Sequence, residues 1–176
     1  FIERTADVGV MPLDVAVNYG VTGPTLRASG CKYDLRKTQP YSIYDKFDFD
    51  VPTGQGLMGT VGDCWDRYYV RVLEVKESVK ILRQALHSIP DGNVHEVMPK
   101  KIRPAKGSVF SRYESARGEV GFYIESNGKD IPSRVKMRSP AYCNLSALNE
   151  ISAGWMMSDV ITILGSLDIV LGEIDR

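Results

Sequence analysis

The sequence predicts an α+β fold with two long helices and a small antiparallel sheet. Three observations indicate this: a long amphipathic stretch in the middle of the chain, short alternating segments after it, and a second, more uniformly apolar stretch near the end. The chain has 176 residues, of which 43% are apolar and 25% are charged. This length and composition are typical of one globular unit that buries a core.

Residues 1–58 are predicted to be an irregular connector. Glycine and proline interrupt this part repeatedly, and both residues disfavour long helices and strands. The spacing leaves room for one short helix near Asp14–Tyr19. We expect the connector to lie against other surfaces. The interrupting residues are Gly9, Pro12, Gly20, Gly23, Pro24, Gly30 and Pro40.

The segment 59–88 is predicted to contain one long helix. Its apolar residues recur at intervals of three and four, which indicates an amphipathic helix of roughly seven turns that ends before Pro90. Asp63 and Asp66 suit the positive end of the helix dipole, and Asp63 can pair with Arg67. A coiled coil is an alternative, but we favour core packing. The apolar stripe consists of Trp65, Tyr68, Val72, Val75, Val79, Leu82 and Leu86.

Residues 107–140 are predicted to form the small antiparallel sheet. Two connecting sequences, Ala116-Arg-Gly-Glu and Asn127-Gly-Lys-Asp, are typical turns. Between them lie short runs that alternate β-branched or aromatic residues with polar ones. These runs are Val109–Glu114, Val120–Glu125 and Arg134–Arg138.

The last segment, 146–176, is predicted to contain a second long helix over Leu148–Leu164, with Asn149 as its cap. Apolar residues occupy nearly every side of this helix, which predicts that it is buried. After it, the sequence "GSLDIVLGEIDR" places Asp168 and Glu173 within an apolar run. A buried carboxylate is costly unless it is paired, so these acids indicate a special environment.

The charge balance gives no indication of a nucleic-acid partner. Lysine plus arginine and aspartate plus glutamate number 22 each, so the chain has no overall basic character. We interpret the most basic stretch, Pro99–Lys106, as a solvated connector. No apolar run is long enough to span a bilayer.

The cysteines and histidines show no metal-ligand spacing. Cys31, Cys64 and Cys143 form no Cys-x-x-Cys pair, and His87 and His95 are too far from them in sequence to complete a recognisable motif. We therefore expect no metal in this chain and buried, reduced thiols in a reducing compartment. A catalytic pair of one cysteine and one histidine stays open on the sequence alone.

Five segments, taken in order, resemble the carboxy-terminal part of the D-type subunit of the proton-pumping NADH:quinone oxidoreductase, complex I. The resemblance covers essentially the whole chain but less than half of that subunit. It implies a single unit, 1–176, that is a fragment of a larger subunit, which agrees with a start at Phe1. The segments are "GVTGPTLRASG", "DLRKTQPYSIYDKFDFDVP", "GDCWDRYYVRVLEVKES", "ESARGEVGFYIESNG" and "ILGSLDIVLGEIDR".

The D-type subunit is similar to the large subunit of nickel-iron hydrogenases, so the resemblance implies the carboxy-terminal part of a hydrogenase-large-subunit-like fold. Hydrogenases hold their metal partly with an Asp-Pro-Cys-x-x-Cys element. Aligned on Asp168, the proline falls on Ile169 and the cysteines fall on Val170 and Glu173. The thiolates that nickel needs are absent. The family implies that this cavity has become a quinone chamber near an iron–sulfur cluster of a neighbouring subunit.

The same resemblance implies which residues of this chain line the chamber: Arg117, Asp168, Val170, Glu173 and Arg176. We expect Arg117 to face the terminal segment, because a fixed cation would offset the cost of acids in an apolar wall. The family's principal quinone ligands, a histidine and a tyrosine, belong to the absent amino-terminal half. The resemblance therefore implies no catalytic residue in this chain and no activity of the fragment alone.

The resemblance also implies cofactors, partners and location. Quinone would bind at the interface with a partner subunit, with NADH and iron–sulfur clusters only in other subunits. The partners would be other peripheral-arm subunits, especially the one that carries the terminal cluster, and the missing amino-terminal half. The location would be peripheral, on the cytoplasmic side of the inner (plasma) membrane.

Three alternatives remain. The chain could be a non-redox assembly module of the same complex. It could belong to a related deazaflavin- or ferredoxin-dependent oxidoreductase of quinones or phenazines, or to a membrane-bound hydrogenase. A hydrogenase domain with its own metal is disfavoured because no cysteine pair is present.

Overall fold

The computed structural model describes residues 1–175, and in that range it confirms the α+β class. The helices are α1 (Leu13–Asn18), α2 (Pro24–Ala28), α3 (Leu35–Thr38), α4 (Cys64–Ser88), α5 (Pro140–Ser146), α6 (Leu148–Ser152), α7 (Met157–Leu167) and α8 (Leu171–Asp175). The strands are β1 (Gly107–Ser115), β2 (Gly118–Ser126) and β3 (Arg134–Arg138). Two 3₁₀ turns lie at Ile2–Arg4 and Tyr44–Lys46.

The connector contains more helix than the sequence predicts. Helix α1 matches the expected short helix, but the prediction of only one was wrong, because α2 and α3 follow it. Pro24 was interpreted as a break, whereas it occupies the first turn of α2, where its missing N–H costs nothing. Helix α3 begins after Asp34, whose side chain accepts a hydrogen bond from the Arg36 N–H at 2.9 Å.

Helix α4 confirms the long amphipathic helix, although Trp65 is the only member of its predicted apolar stripe that is buried among the described residues. Asp63 caps the helix by accepting from the Asp66 N–H at 2.7 Å, and this capping takes the place of the predicted Asp63–Arg67 pair. Helices α2 and α7 cover only the beginning of α4. Within residues 1–175 the rest of the stripe is therefore uncovered, with exposures of 37% to 69%: Tyr68, Val72, Val75, Val79, Leu82 and Leu86.

The three strands form an antiparallel sheet in the order β1-β2-β3, as predicted. A two-residue turn, Ala116–Arg117, joins β1 to β2, because Ser115 pairs with Gly118. The turn lies close to the start of α2. A Cβ atom on Gly118 would lie 2.5 Å from Thr22 Oγ1 and 2.9 Å from the Thr22 carbonyl carbon, and the φ of Gly118 is +134°. Only glycine fits this position without strain.

The predicted second long helix is divided. Helix α6 ends at Ser152 and α7 begins at Met157, with Gly154 in a positive-φ conformation of +84° between them. Asn149 lies inside α6 rather than at its cap. The predicted burial was also wrong, since Met157 is 81% exposed and Ile161 is 70% exposed. The apolar content of a helix does not by itself show which of its sides other segments of the chain cover.

The core joins the connector to the terminal helices. Side chains from α1, α2, the start of α4, α6 and α7 form one buried cluster, which places the end of α7 beside the first turns of α4. The residue that follows α7 is Asp168. The core members are Val8, Met11, Ala16, Val21, Leu26, Cys64, Ala147, Ile151, Ile163 and Leu167.

Candidate ligand-binding site

Asp168 lies at the break between α7 and α8, in a left-handed conformation with φ +53°. This conformation is uncommon for residues other than glycine, and aspartate is among those that tolerate it. The Asp168 N–H donates to the Gly165 carbonyl at 3.2 Å and closes the helix. The carboxylate, 41% exposed, is left outside the helix.

Arg117 faces the terminal segment, which confirms the predicted contact. Its Nε donates to the Asp168 carbonyl at 2.8 Å, and its Nη2 donates to Asp168 Oδ1 at 3.3 Å. The turn that carries Arg117 is held in place by Asn144, whose Nδ2 donates to the Arg117 carbonyl at 3.4 Å. Because both side chains are partly exposed, the pair contributes little to stability, on the order of 0–1 kcal/mol. Its effect is mainly on geometry.

A second arginine, Arg71 of α4, approaches Asp168 from the other side. Its Nε lies 3.6 Å from Asp168 Oδ2. Its Nη1 donates to the Ser166 carbonyl at 2.8 Å, and its Nη2 donates to the Leu167 carbonyl at 3.2 Å. Burial lowers the pKa of Arg71, and the charge of Asp168 opposes that shift. The carboxylate thus lies between two guanidinium groups.

Beside this contact lies a nearly closed cluster around Arg27, whose side chain is 1% exposed. Arg27 Nε donates to Glu74 Oε1 at 2.6 Å, and Nη1 donates to Glu114 Oε1 at 2.8 Å and to the Tyr33 carbonyl at 2.9 Å. Burial acts to lower the pKa of Arg27, but the charges of Glu74 and Glu114 raise it overall. Burial raises the pKa of Glu114. The cluster ties α2 to α4 and β1.

Two clefts meet at Arg71, Val75 and Asp168. One has a volume of about 390 Å³, and we call it the polar cleft because most of its lining residues are charged or polar. These are Arg27, Arg36, Arg71, Glu74, Ser78, Glu114, Ser115 and Asp168, and Val75 and Ala116 complete the lining. The other has a volume of about 350 Å³ and combines apolar Tyr68, Val72, Val75 and Gly165 with Arg71, Ser166 and Asp168. An apolar wall with a few convergent polar groups is typical of a small-molecule site.

The other predicted site residues lie near the contact but not in these clefts. Glu173 Oε2 accepts from Ser139 Oγ at 3.1 Å and from the Ala141 N–H at 3.3 Å, which holds α8 against the start of α5. Val170 is half-buried, and its carbonyl accepts from the Glu173 N–H at 3.0 Å. Neither residue lines the two clefts. Arg176 lies outside the described residues.

Sequence reasoning missed the arginines of α4. Arg67 and Arg71 are four residues apart and so share one face of the helix. Arg67 is fully buried and donates to the carbonyls of Gly62 at 2.6 Å and Gly9 at 2.9 Å. Burial lowers its pKa. Two arginines beside the apolar stripe are a signal in the sequence. The acceptors that join them to other elements, the carbonyls of Gly9, Ser166 and Leu167, are distant in sequence, so no local pattern identifies them.

Within the described range, 1–175, no group of three or more His, Cys, Asp or Glu side chains is arranged to hold a metal ion. The three cysteines are unpaired; Cys64 is buried, whereas Cys31 and Cys143 are half-buried, so the prediction of three buried thiols was wrong. None of the described helices is both long enough and apolar enough to cross a membrane.

The fold and the clefts define an α+β protein that holds a carboxylate between two cations at a candidate ligand site. The sequence model of the family described as "Respiratory-chain NADH dehydrogenase, 49 Kd subunit" matches residues 1–106 and 94–176. The chain therefore belongs to this family.

Relatives support this assignment over the full chain and confirm the resemblance to the D-type subunit of NADH-quinone oxidoreductase. The D-type subunit numbered 1 of Cytophaga hutchinsonii is 52% identical over 100% of this chain and 47% of its own length. The D-type subunit of Chlorobaculum tepidum is 51% identical over 100% of this chain and 45% of its own length. The D-type subunit of Dehalococcoides mccartyi is 48% identical over 98% of this chain and 46% of its own length. The chain thus spans about half the length of the relatives it matches.

Proposed function

We propose that this chain forms part of the quinone chamber in a peripheral-arm subunit of a proton-pumping NADH:quinone oxidoreductase. The observation that carries the proposal is the contact of Arg117 with Asp168 beside a partly apolar cleft. A quinone in such a chamber would accept electrons from iron–sulfur clusters in partner subunits. Sequence similarity to proteins named as subunits of NADH-quinone oxidoreductase supports the proposal.

The residues present fit a quinone. Tyr68, Val72 and Val75 offer an apolar wall of suitable size for a flat ring. Arg71 and Asp168 border the same cleft, so a hydrogen-bond donor and an acceptor lie at its edge. In the proposal, Arg117 keeps the Asp168 carboxylate in place, because it donates to both the carbonyl and Oδ1 of that residue.

Val170 and Glu173 are proposed to belong to the chamber wall on the terminal side, outside the two clefts. The hydrogen bonds that the Glu173 carboxylate accepts from Ser139 and Ala141 support this role, because they hold the segment after Asp168 in one position. Catalytic groups and the other half of the chamber would come from the remaining part of the subunit. The chain alone is then inactive, and within the complex this subunit lies peripherally on the cytoplasmic side of the inner (plasma) membrane.

The uncovered apolar face of α4 favours a second candidate function, in assembly. Its side chains from Tyr68 to Leu86 are exposed in this chain, and exposed apolar patches mark interaction surfaces. The rest of the subunit, or a partner subunit such as the one with the terminal iron–sulfur cluster, would cover them. This function requires no quinone contact and can be separated from the first by experiment.

The test is Arg117→Gln in the full-length subunit of the assembled complex. Loss of the hydrogen bonds from a charged group to Asp168 is expected to raise the KM for a short-chain quinone about tenfold, since such bonds contribute about 1.5–3 kcal/mol and about 1.4 kcal/mol is a factor of ten. NADH oxidation with ferricyanide, which bypasses the quinone site, should not change.

The matched control is Arg112→Gln in the same hairpin. Arg112 is 32% exposed against 31% for Arg117, and it pairs with Glu119 instead of Asp168. We expect a change in KM below about twofold for this variant. Unchanged quinone kinetics in fully assembled Arg117→Gln complex would refute the chamber. Reduced assembly with normal quinone kinetics would favour the assembly function.

A further inference from the structure

We propose that Arg71 is a positioning residue of the quinone site, which orients Asp168 from the side opposite Arg117. This inference rests on the proposed function and adds a residue that the family's site pattern in the sequence does not include. The geometry that supports it is the approach of one guanidinium group to both the end of α7 and the Asp168 carboxylate.

Arg71 first fixes the end of helix α7. The last carbonyl groups of a helix have no partner within the helix. Arg71 binds two of them, since Nη1 donates to the Ser166 carbonyl and Nη2 to the Leu167 carbonyl. Nη2 also lies 3.4 Å from Thr25 Oγ1. The guanidinium therefore has a fixed position relative to the residue that follows, Asp168.

The remaining donor of this side chain, Nε, lies near the Asp168 carboxylate. Arg71 Nε is buried and has no hydrogen-bond partner among the described residues. It lies 3.6 Å from Asp168 Oδ2, while Arg117 Nη2 lies 3.3 Å from Asp168 Oδ1. A buried donor without an acceptor is unfavourable, so a small rotation of the carboxylate toward Arg71 is favoured. Each carboxylate oxygen then has its own arginine.

The position of Arg71 also matters for the shape of the site. Arg71 and Asp168 line both clefts, so their contact is the partition between the polar cleft and the partly apolar one. Arg67, one turn earlier, also contacts the end of α7, since its Nε donates to Ser166 Oγ at 2.8 Å. It differs from Arg71 because it is fully buried and its other nitrogens donate to the carbonyls of Gly62 and Gly9 instead of approaching the Asp168 carboxylate. Lysine cannot replace Arg71, since its single ammonium group cannot reach two carbonyls and a carboxylate in a fixed fork.

The experiment uses Arg71→Gln in the full-length subunit of the assembled complex, with Arg83→Gln on the exposed part of α4 as the matched control. We expect the KM for a short-chain quinone to rise about tenfold for Arg71→Gln and less than about twofold for Arg83→Gln. The amount of assembled complex and the NADH:ferricyanide rate report separately on folding.

A double-mutant cycle distinguishes positioning from helix capping. In an Asp168→Asn background, Arg71→Gln should add less than about twofold to KM, because the group that Arg71 orients has lost its charge. Capping of Ser166 and Leu167 is unchanged in that background, so a residue that only caps α7 would add its full effect.

Each outcome bears on the inference. If the effects of Arg71→Gln and Asp168→Asn on KM are additive, the role of Arg71 is overturned and the proposed function stands. The same holds if Arg71→Gln has a normal KM while Arg117→Gln and Asp168→Asn alter it. A normal KM in all three variants would overturn both the inference about Arg71 and the proposed function. If Arg71→Gln does not assemble, Arg71→Lys retains the charge but not the fork, and a normal KM for that variant would overturn the inference.

Discussion

Two arginine–carboxylate clusters lie side by side in this protein and differ in how completely they are enclosed. Arg27 is 1% exposed and Glu114 is 2% exposed. In the neighbouring cluster, Arg71 is 22% exposed, Arg117 is 31% exposed and Asp168 is 41% exposed. Both clusters line the same polar cleft. The ionic groups are alike, but their surroundings differ.

We infer from this difference that the enclosed cluster has a structural role and that the open cluster is the candidate for ligand binding. Around Arg27 the hydrogen bonds are made within the protein, and they join α2, α4 and β1. At Asp168 one arginine nitrogen lacks a hydrogen-bond partner among residues 1–175, and the carboxylate remains accessible. We therefore expect changes in the enclosed cluster to affect stability and changes in the open cluster to affect binding.

The largest effect is expected for Arg27→Met. It leaves the carboxylates of Glu74 and Glu114 without their buried cation, and breaking a buried ion pair in this way costs about 3–5 kcal/mol. A urea titration of the purified chain would measure the free energy of unfolding. Arg112→Met, at a partly exposed pair with Glu119, should cost less than about 1 kcal/mol. Equal losses in the two variants would contradict the comparison.

A smaller loss is expected for Gly118→Ala, which disturbs the turn that carries Arg117. The new Cβ atom would lie 2.5 Å from Thr22 Oγ1, and alanine is strained at φ +134°. Strain and overpacking together should cost about 2–4 kcal/mol of unfolding free energy. The control Gly128→Ala has φ +87° but its nearest neighbour, Lys106 Cγ, is 3.5 Å away. It should show only the backbone strain, about 1–2 kcal/mol. Identical losses would mean that the close approach to Thr22 is unimportant.

Asp34 borders the enclosed cluster, since its Oδ2 lies 3.8 Å from Arg27 Nη1. Asp34→Asn should lower the free energy of unfolding by about 1–2 kcal/mol at pH 7, because asparagine keeps the cap but loses the ion pair with Arg36. Burial acts to raise the pKa of Asp34, but the hydrogen bond and charge of Arg36 lower it overall. A lowered pKa means that Asp34 stabilises the fold above its ordinary value of 3.8 and that this contribution disappears as the pH falls through the lower folded value.

The difference in unfolding free energy between wild type and Asp34→Asn should therefore shrink below about pH 3.8. Urea titrations at a series of pH values would measure it. Asp50→Asn, at a side chain that is 82% exposed, should show little difference at any pH. If the difference in unfolding free energy between wild type and Asp34→Asn persists at the lowest pH, the ion pair is excluded as its cause.

The smallest effect on stability is expected for Val170→Met, two residues after Asp168. The free energy of unfolding should change by less than about 1 kcal/mol, because Val170 is only half-buried. In the assembled complex, the longer side chain should weaken binding of a quinone-site inhibitor about tenfold, since overpacking costs about 1–3 kcal/mol where room is lacking. Inhibition titrations would measure this. Leu171→Met, at a side chain that is 75% exposed, is the control. Equal inhibitor sensitivity in both variants would remove Val170 from the proposed wall.

Local patterns predicted much of the secondary structure. The alternating segments and their turns predicted all three strands, and the spacing of apolar residues predicted α4. The break at Gly154 and the start of α2 at Pro24 were missed, although both depend on local backbone preferences. At Gly154 the backbone preference competes with an apolar pattern that continues across it, and Pro24 is ambiguous because proline both interrupts helices and begins them.

The sequence by itself determined the strands, the long helix α4 and, through resemblance, the candidates Arg117 and Asp168. Only the tertiary structure decided that Arg117 contacts Asp168, that Arg71 approaches the same carboxylate, and that Arg27 is enclosed. It also decided that the stripe of α4 is uncovered in this chain. The physical reason is that periodicity reflects the geometry of one helix or strand, whereas burial and ion pairing depend on which distant segments pack against it.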